Sequence, residues 1–154
     1  MNPLPAATET IVLGISAEKA QTLLFKATLN NEIEVQDYTS RKYFIGEVGV
    51  KHFRISLKIE KPNNFIPIIK GHFESASNGS LLFLNYSLFQ STRVYLIFWS
   101  CFALVCSIVA FFVSENYGYS LIALFALGLI QWVAWGNFQI QLKKSRAKLL
   151  EVIK

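Results

Sequence analysis

VYLIFWSCFALVCSIVAFFVS, residues 94–114, decides the fold. It carries no charge and no proline. At about 1.5 Å per residue, a helix of this length spans roughly 30 Å, the thickness of a bilayer's hydrocarbon core. A surface helix of a soluble protein is apolar along one stripe, whereas this one is apolar all round. A second stretch, YGYSLIALFALGLIQWVAWG at 117–136, repeats the pattern. Between Val94 and Gly136 the only charged residue is Glu115, in the short link. A link that short predicts an antiparallel hairpin of two transmembrane helices, 94–114 and 117–136.

The flanks give an orientation. Arg93 precedes the first span, and Lys143, Lys144, Arg146 and Lys148 follow the second. The link has no Lys or Arg, so the positive-inside rule puts both termini in the cytoplasm. Tyr95, Trp99, Tyr117, Tyr119, Trp132 and Trp135 cluster toward the span ends, where amphipathic rings suit the membrane interfaces. Ala103 and Ser107 on one helix, with Ala123 and Ala126 on the other, are the expected points of close approach. Gln131 lies well inside the second span. It reads either as a helix–helix contact or substrate path, or as an interfacial side chain bonded to a carbonyl or water. Cys101 and Cys106 are five residues apart in one helix and point in different directions, so no internal disulfide is expected between them. They read as small packing residues.

Composition agrees with this division. Of 154 residues 53% are hydrophobic and 16% charged, against roughly 25% charged in an average soluble chain. The deficit lies in the hairpin, and residues 1–93 have ordinary polarity. The net charge is +5. The basic residues are dispersed and no nucleic-acid motif accompanies them, so nucleic acid is not an expected partner. The N-terminal stretch lacks a basic leader and a long apolar core, so residues 1–93 are expected to stay on the side where they are made. The sequons at Asn78 and Asn85 then read as chance matches.

Residues 1–93 read as a small α+β domain. TETIVLG (8–14) has strand character. Ser16 caps a helix with Glu18 in its first turn, and Ala17, Ala20, Leu23, Leu24 and Ala27 form its apolar stripe. Asn30-Asn31 is the expected stop. Strands follow at 41–48, 50–60, 65–76 and 81–90. In the second of these, Phe53, Ile55, Leu57 and Ile59 alternate with polar residues at a period of two. Lys61-Pro62-Asn63-Asn64 has turn chemistry, and Asn78-Gly79 is the strongest hairpin signal. The predicted order is β-α-β-β-β-β in a small antiparallel sheet. The membrane hairpin follows, then a basic C-terminal helix at 137–154 that packs on the sheet through Phe138, Leu142, Leu149 and Ile153. An amphipathic helix lying on the bilayer is the alternative for that tail.

The stretch Asn63-Asn-Phe65-Ile-Pro67-Ile-Ile69-Lys-Gly71, preceded by Phe44-Ile-Gly46-Glu-Val48 and Phe53-Arg-Ile55, carries a resemblance. Over residues 40–140 the chain resembles a family of small uncharacterised bacterial membrane proteins. Its members share an N-x-F-x-P-x-I-x-G strand followed by two transmembrane helices. The resemblance implies a multi-pass protein of the bacterial inner (plasma) membrane and implies no activity.

Catalytic signatures are missing: no P-loop, GxGxxG, HExxH, CxxC or G-x-S-x-G. The single aspartate, Asp37, has no evident His and Ser partners. The expectation is a non-enzyme with no cofactor. A turn near Pro62-Asn63 sets His52 opposite or diagonal to His72, with Glu74 as a third possible metal ligand; a solvated polar face is the simpler reading. Arg54, Lys58 and Lys70, with the tail residues Lys143, Lys144, Arg146 and Lys148, form a candidate basic surface for anionic lipid or a partner. The leading expectation is a membrane-anchored interaction or scaffolding protein, as a homo-oligomer or with another membrane protein. The alternative is binding of a lipid or small amphiphile by the membrane-proximal sheet domain, motivated by Phe53, Phe65, Phe73, Phe83 and Phe89.

Overall fold

The computed structural model describes residues 4–29, 42–59, 61, 63–113 and 117–153. Asn30, Asn31, Asp37 and most of the link between the apolar stretches lie outside them. The order of elements is β1 (Ala6–Leu13), α1 (Ala17–Ala27), β2 (Thr28–Leu29), β3 (Phe44–Val48), β4 (Phe53–Leu57), β5 (Pro67–Ala76), β6 (Gly79–Leu88), α2 (Gln90–Val113) and α3 (Gly118–Ile153). The α+β class read from the sequence is the class observed.

Ser16 caps α1, its hydroxyl accepting from the Lys19 amide at 3.4 Å. The helix ends at Ala27, earlier than Asn30-Asn31 would place it. Thr28 turns to an extended conformation and opens β2, a two-residue strand absent from the sequence reading. A strand so short shows no periodicity.

The sheet runs β1-β6-β5-β4-β3-β2. All neighbours are antiparallel except β2 and β3, which are parallel, so the expected antiparallel sheet is a mixed one. The N-terminal strand closes onto the last, with Ala6 opposite Ser87 and Leu13 opposite Ser80. Strand β4 is shorter than the alternation at 50–60 suggested. The chain turns tightly at 49–52, where the Gly49 amide donates to the His52 carbonyl at 3.0 Å, and β3 offers only five residues to pair with. The β5–β6 turn is Ser77-Asn78, because Ala76 pairs with Gly79. Gly79, expected inside the turn, is the first residue of β6, with φ at +137°.

Among the described residues, helices cover one face only. Phe44, Phe53, Ile55, Ile69, Leu82, Leu84, Tyr86 and Leu88 point to that face. They form one core with Leu24 of α1 and with Phe138, Leu142, Leu149 and Ile153 of α3. Helix α3 is continuous over 36 residues. Its buried stripe starts at Ser120 and Ala134 and continues through Phe138, Leu142, Ser145, Leu149 and Ile153. Ser145, polar and in the middle of that stripe, is itself fully buried. Arg146 reaches from α3 to β1, its Nε donating to both Glu9 carboxylate oxygens at 2.7 and 2.8 Å.

α2 and α3 are long and apolar enough to cross a membrane, and only 11% of the apolar window of each is buried. A core helix of a soluble protein would be mostly covered. The two run antiparallel. The Ser107 hydroxyl meets the Ser120 hydroxyl at 3.0 Å, and Gln131 donates to the Ser100 hydroxyl at 2.7 Å. Gln131 thus makes a helix–helix contact. Of the expected approach residues, Ser107 is buried, Ala103 and Ala123 half-buried, and Ala126 exposed. Ala126 falls off the stripe that faces α2. Cys101 and Cys106 are free and exposed, so they do not pack between helices as expected. The small contacts at this interface come from serine and alanine instead.

Candidate functional site

Among the described residues, no element packs over the second face of the sheet. One register row across it reads Glu47, Arg54, Lys70, Asn85, Thr8, each directly opposite the next. The neighbouring row, away from the helical hairpin, holds His72, Phe83 and Thr10, with His52 beside His72. The row toward the hairpin holds Ile45, Ser56, Ile68 and Ser87. The face is therefore graded from apolar near α2 to polar and cationic in the middle and aromatic beyond.

Three adjoining concavities lie on this face. The largest, about 860 Å³, includes Arg54, Lys70, His52, His72, Phe83 and Asn85 in its lining. A second, about 370 Å³, shares Thr8, Lys70 and Asn85 with it and extends to Arg93 in the first turn of α2. A third, about 390 Å³, shares Arg54 and is lined by Ile45, Ile59, Ile66, Ile68 and Phe89 among others. Ile66 and Ile68 are buried without belonging to the main core. Ile59, expected to continue the buried alternation, lies past the end of β4 and lines this apolar concavity instead. Among the described residues Arg54, Lys70 and Arg93 have no ion-pair partner.

The histidines are neighbours, with ring centroids 5.6 Å apart in an edge-on arrangement. His72 stacks on Phe83 at 4.8 Å and meets the Glu74 carboxylate at 3.2 Å. Among the described residues no group of three or more His, Cys, Asp or Glu side chains stands close enough to hold a metal ion.

The basic surface expected from Arg54, Lys58, Lys70 and the tail does not exist as one patch. Arg54 and Lys70 lie on the open face, while α3 packs on the opposite one. Lys58 follows β4 and lines none of these concavities. Arg146 is engaged with Glu9, an ion pair that raises its pKa chiefly through the hydrogen bond. Lys148 bonds Glu151 at 2.8 Å and lies 3.8 Å from the centroid of the Tyr43 ring. Lys143 and Lys144 remain exposed.

The aromatics expected at the membrane interfaces divide between the two ends of the hairpin. The bond between Gln131 and Ser100 sets Trp99 and Trp132 at one level, near the sheet domain, with Tyr95 and Trp135 next to them. Tyr117 and Tyr119 stand at the far end. All are exposed except Trp135, which is half-buried against Phe138. The five phenylalanines that suggested an amphiphile site also divide. Phe53 is in the core, Phe65 and Phe73 pack against it, and only Phe83 and Phe89 line the open face. Sequence reasoning put Arg54 and Lys70 on one surface; what it missed is the continuation of their row through Asn85 to Thr8. That continuation becomes legible only once the register of β1 against β6 is known.

No protein-family model, curated protein or solved structure matches this chain.

Proposed function

We propose that the chain is a non-enzymatic binding protein of the bacterial inner membrane. α2 and the first half of α3 anchor it as a hairpin, with both termini cytoplasmic. The open sheet face takes up a lipid or small amphiphile at the membrane surface. One observation carries this reading: concavities that share the side chains of the cationic row, Lys70 on one side and Arg54 on the other, extend to Arg93 and to Phe89, where α2 begins. A soluble domain placed there meets the bilayer surface along its apolar margin, and a ligand with one polar and one greasy end fits that gradient. The face under α1 and α3 is taken up by the core cluster, which favours the other face for a ligand.

The orientation draws on Arg93, Lys143 and Lys144 beside the domain and on the lack of Lys or Arg in the link. Scaffolding of a second copy or another membrane protein is the second reading. It draws on Gly128, exposed on α3 with nothing within 4 Å of an added Cβ, a point where a neighbouring helix can approach closely. Native mass spectrometry of the full chain, taken from carbonate-washed membranes in mild detergent, tests both. One retained amphiphile per chain supports the first reading, and a stoichiometric protein partner supports the second. A bare monomer contradicts both.

A further inference from the structure

We propose that Arg54 and Lys70 hold the phosphate headgroup of an anionic phospholipid, with Arg93 beside them and the acyl chains leaving over the exposed Ile45, Ile59 and Phe89. The inference rests on the amphiphile reading above and names its ligand.

Arg54 and Lys70 are directly opposite each other on adjacent strands. Like charges so placed repel, and the arrangement costs stability unless an anion sits between them. Glu47 is the nearest carboxylate in the row, opposite Arg54 on its other side, but it forms no ion pair with Arg54. A guanidinium grips two phosphate oxygens in its planar fork, and a lysine beside it adds a point charge. Asn85, next in the row, supplies a neutral donor.

A second, independent feature lies at the foot of α2. The free amide groups of a helix N-terminus carry partial positive charge and usually attract acidic side chains. The first turn of α2 has no acidic residue and carries Arg93 instead. The helix end and Arg93 therefore add positive potential to the concavity that Lys70 shares. The apolar concavity that shares Arg54 opens beside Phe89, immediately before α2. Headgroup charge and chain path thus converge on the same two side chains, at the level where a bilayer around the hairpin would present phosphates.

The test is native mass spectrometry of the delipidated full chain in neutral detergent, titrated with phosphatidylglycerol, diacylglycerol and glycerol 3-phosphate. Phosphatidylglycerol is expected to bind one per chain, at least tenfold more tightly than either of the other two. Arg54→Gln with Lys70→Gln is expected to abolish that preference, while Lys143→Gln with Lys144→Gln on the covered side leaves it intact. All four side chains are exposed, so the variants keep the fold, which circular dichroism checks. Equal binding of diacylglycerol and phosphatidylglycerol, with no effect of Arg54→Gln and Lys70→Gln, overturns the headgroup assignment but leaves amphiphile binding standing. Equal loss from the Lys143 and Lys144 variant overturns it in favour of diffuse surface charge. Glycerol 3-phosphate binding as tightly as the lipid overturns the acyl path. No binding of any of the three overturns the amphiphile reading itself.

Discussion

Gly79 adopts φ +137° at the start of β6, and an added Cβ would strike the Leu13 carbonyl of the neighbouring strand. Gly79→Ala is therefore expected to destabilise the domain by about 1–3 kcal/mol, read as a lowered thermal midpoint in detergent. The turn chemistry was legible in Asn78-Gly79, but not which residue needed the glycine, because that depends on the contact with β1. Tyr86 shows the same dependence on distant partners. It is fully buried, and its hydroxyl makes no hydrogen bond of ordinary geometry. Burial first, and the nearby Glu9 carboxylate second, push its pKa above the ordinary 10.0. The folded state then holds the phenol proton more tightly than the unfolded chain. The resulting stability is full below about pH 10 and is lost as pH rises from there toward the folded-state value. Tyr86→Phe is expected to flatten this alkaline loss and to change stability little at neutral pH, since no formed bond is removed. Thermal unfolding between pH 8 and pH 11 measures it; an unchanged alkaline slope in the variant contradicts the assignment.

The single helix α3 joins two environments. Its first half lies against α2 through Ser120 and Gln131, and its second half lies against the sheet through Phe138, Leu149 and Ile153. Leu149 is fully buried, so Leu149→Ala is expected to cost about 2–5 kcal/mol in unfolding of the sheet domain. Lys144→Ala, exposed one turn away, should stay within about 0.5 kcal/mol. Equal, small effects of the two would contradict packing of this segment on the sheet. The stripe is visible in the sequence because helical spacing is local. The exposure of Cys101, Cys106 and Ala126 is not, because within a uniformly apolar helix nothing local marks which side meets the partner helix. β2 was illegible for the complementary reason: two residues carry no period, and only Phe44 and Ile45 opposite them make a strand there.

At the scale of the whole molecule, one architectural choice determines the rest: both α1 and the end of α3 cover the same sheet face. That leaves Arg54, Lys70 and Asn85 open to solvent and sets them above the exposed apolar hairpin. The neighbouring placement of His52 and His72 followed from the arithmetic of a single local hairpin. The same arithmetic sets Arg54 opposite Lys70, but the extension of their row to Thr8 needs β1 to pair with β6, far away in sequence, and no local pattern announces that. The account stands on the hairpin crossing a bilayer with the sheet domain on the cytoplasmic side. An impermeant maleimide applied to intact spheroplasts tests this most directly, in a background carrying Cys101→Ala and Cys106→Ala. The account predicts that Tyr117→Cys is labelled from outside and that Asn78→Cys is labelled only after permeabilisation. Labelling of Asn78→Cys in intact spheroplasts, with Tyr117→Cys protected, would contradict it.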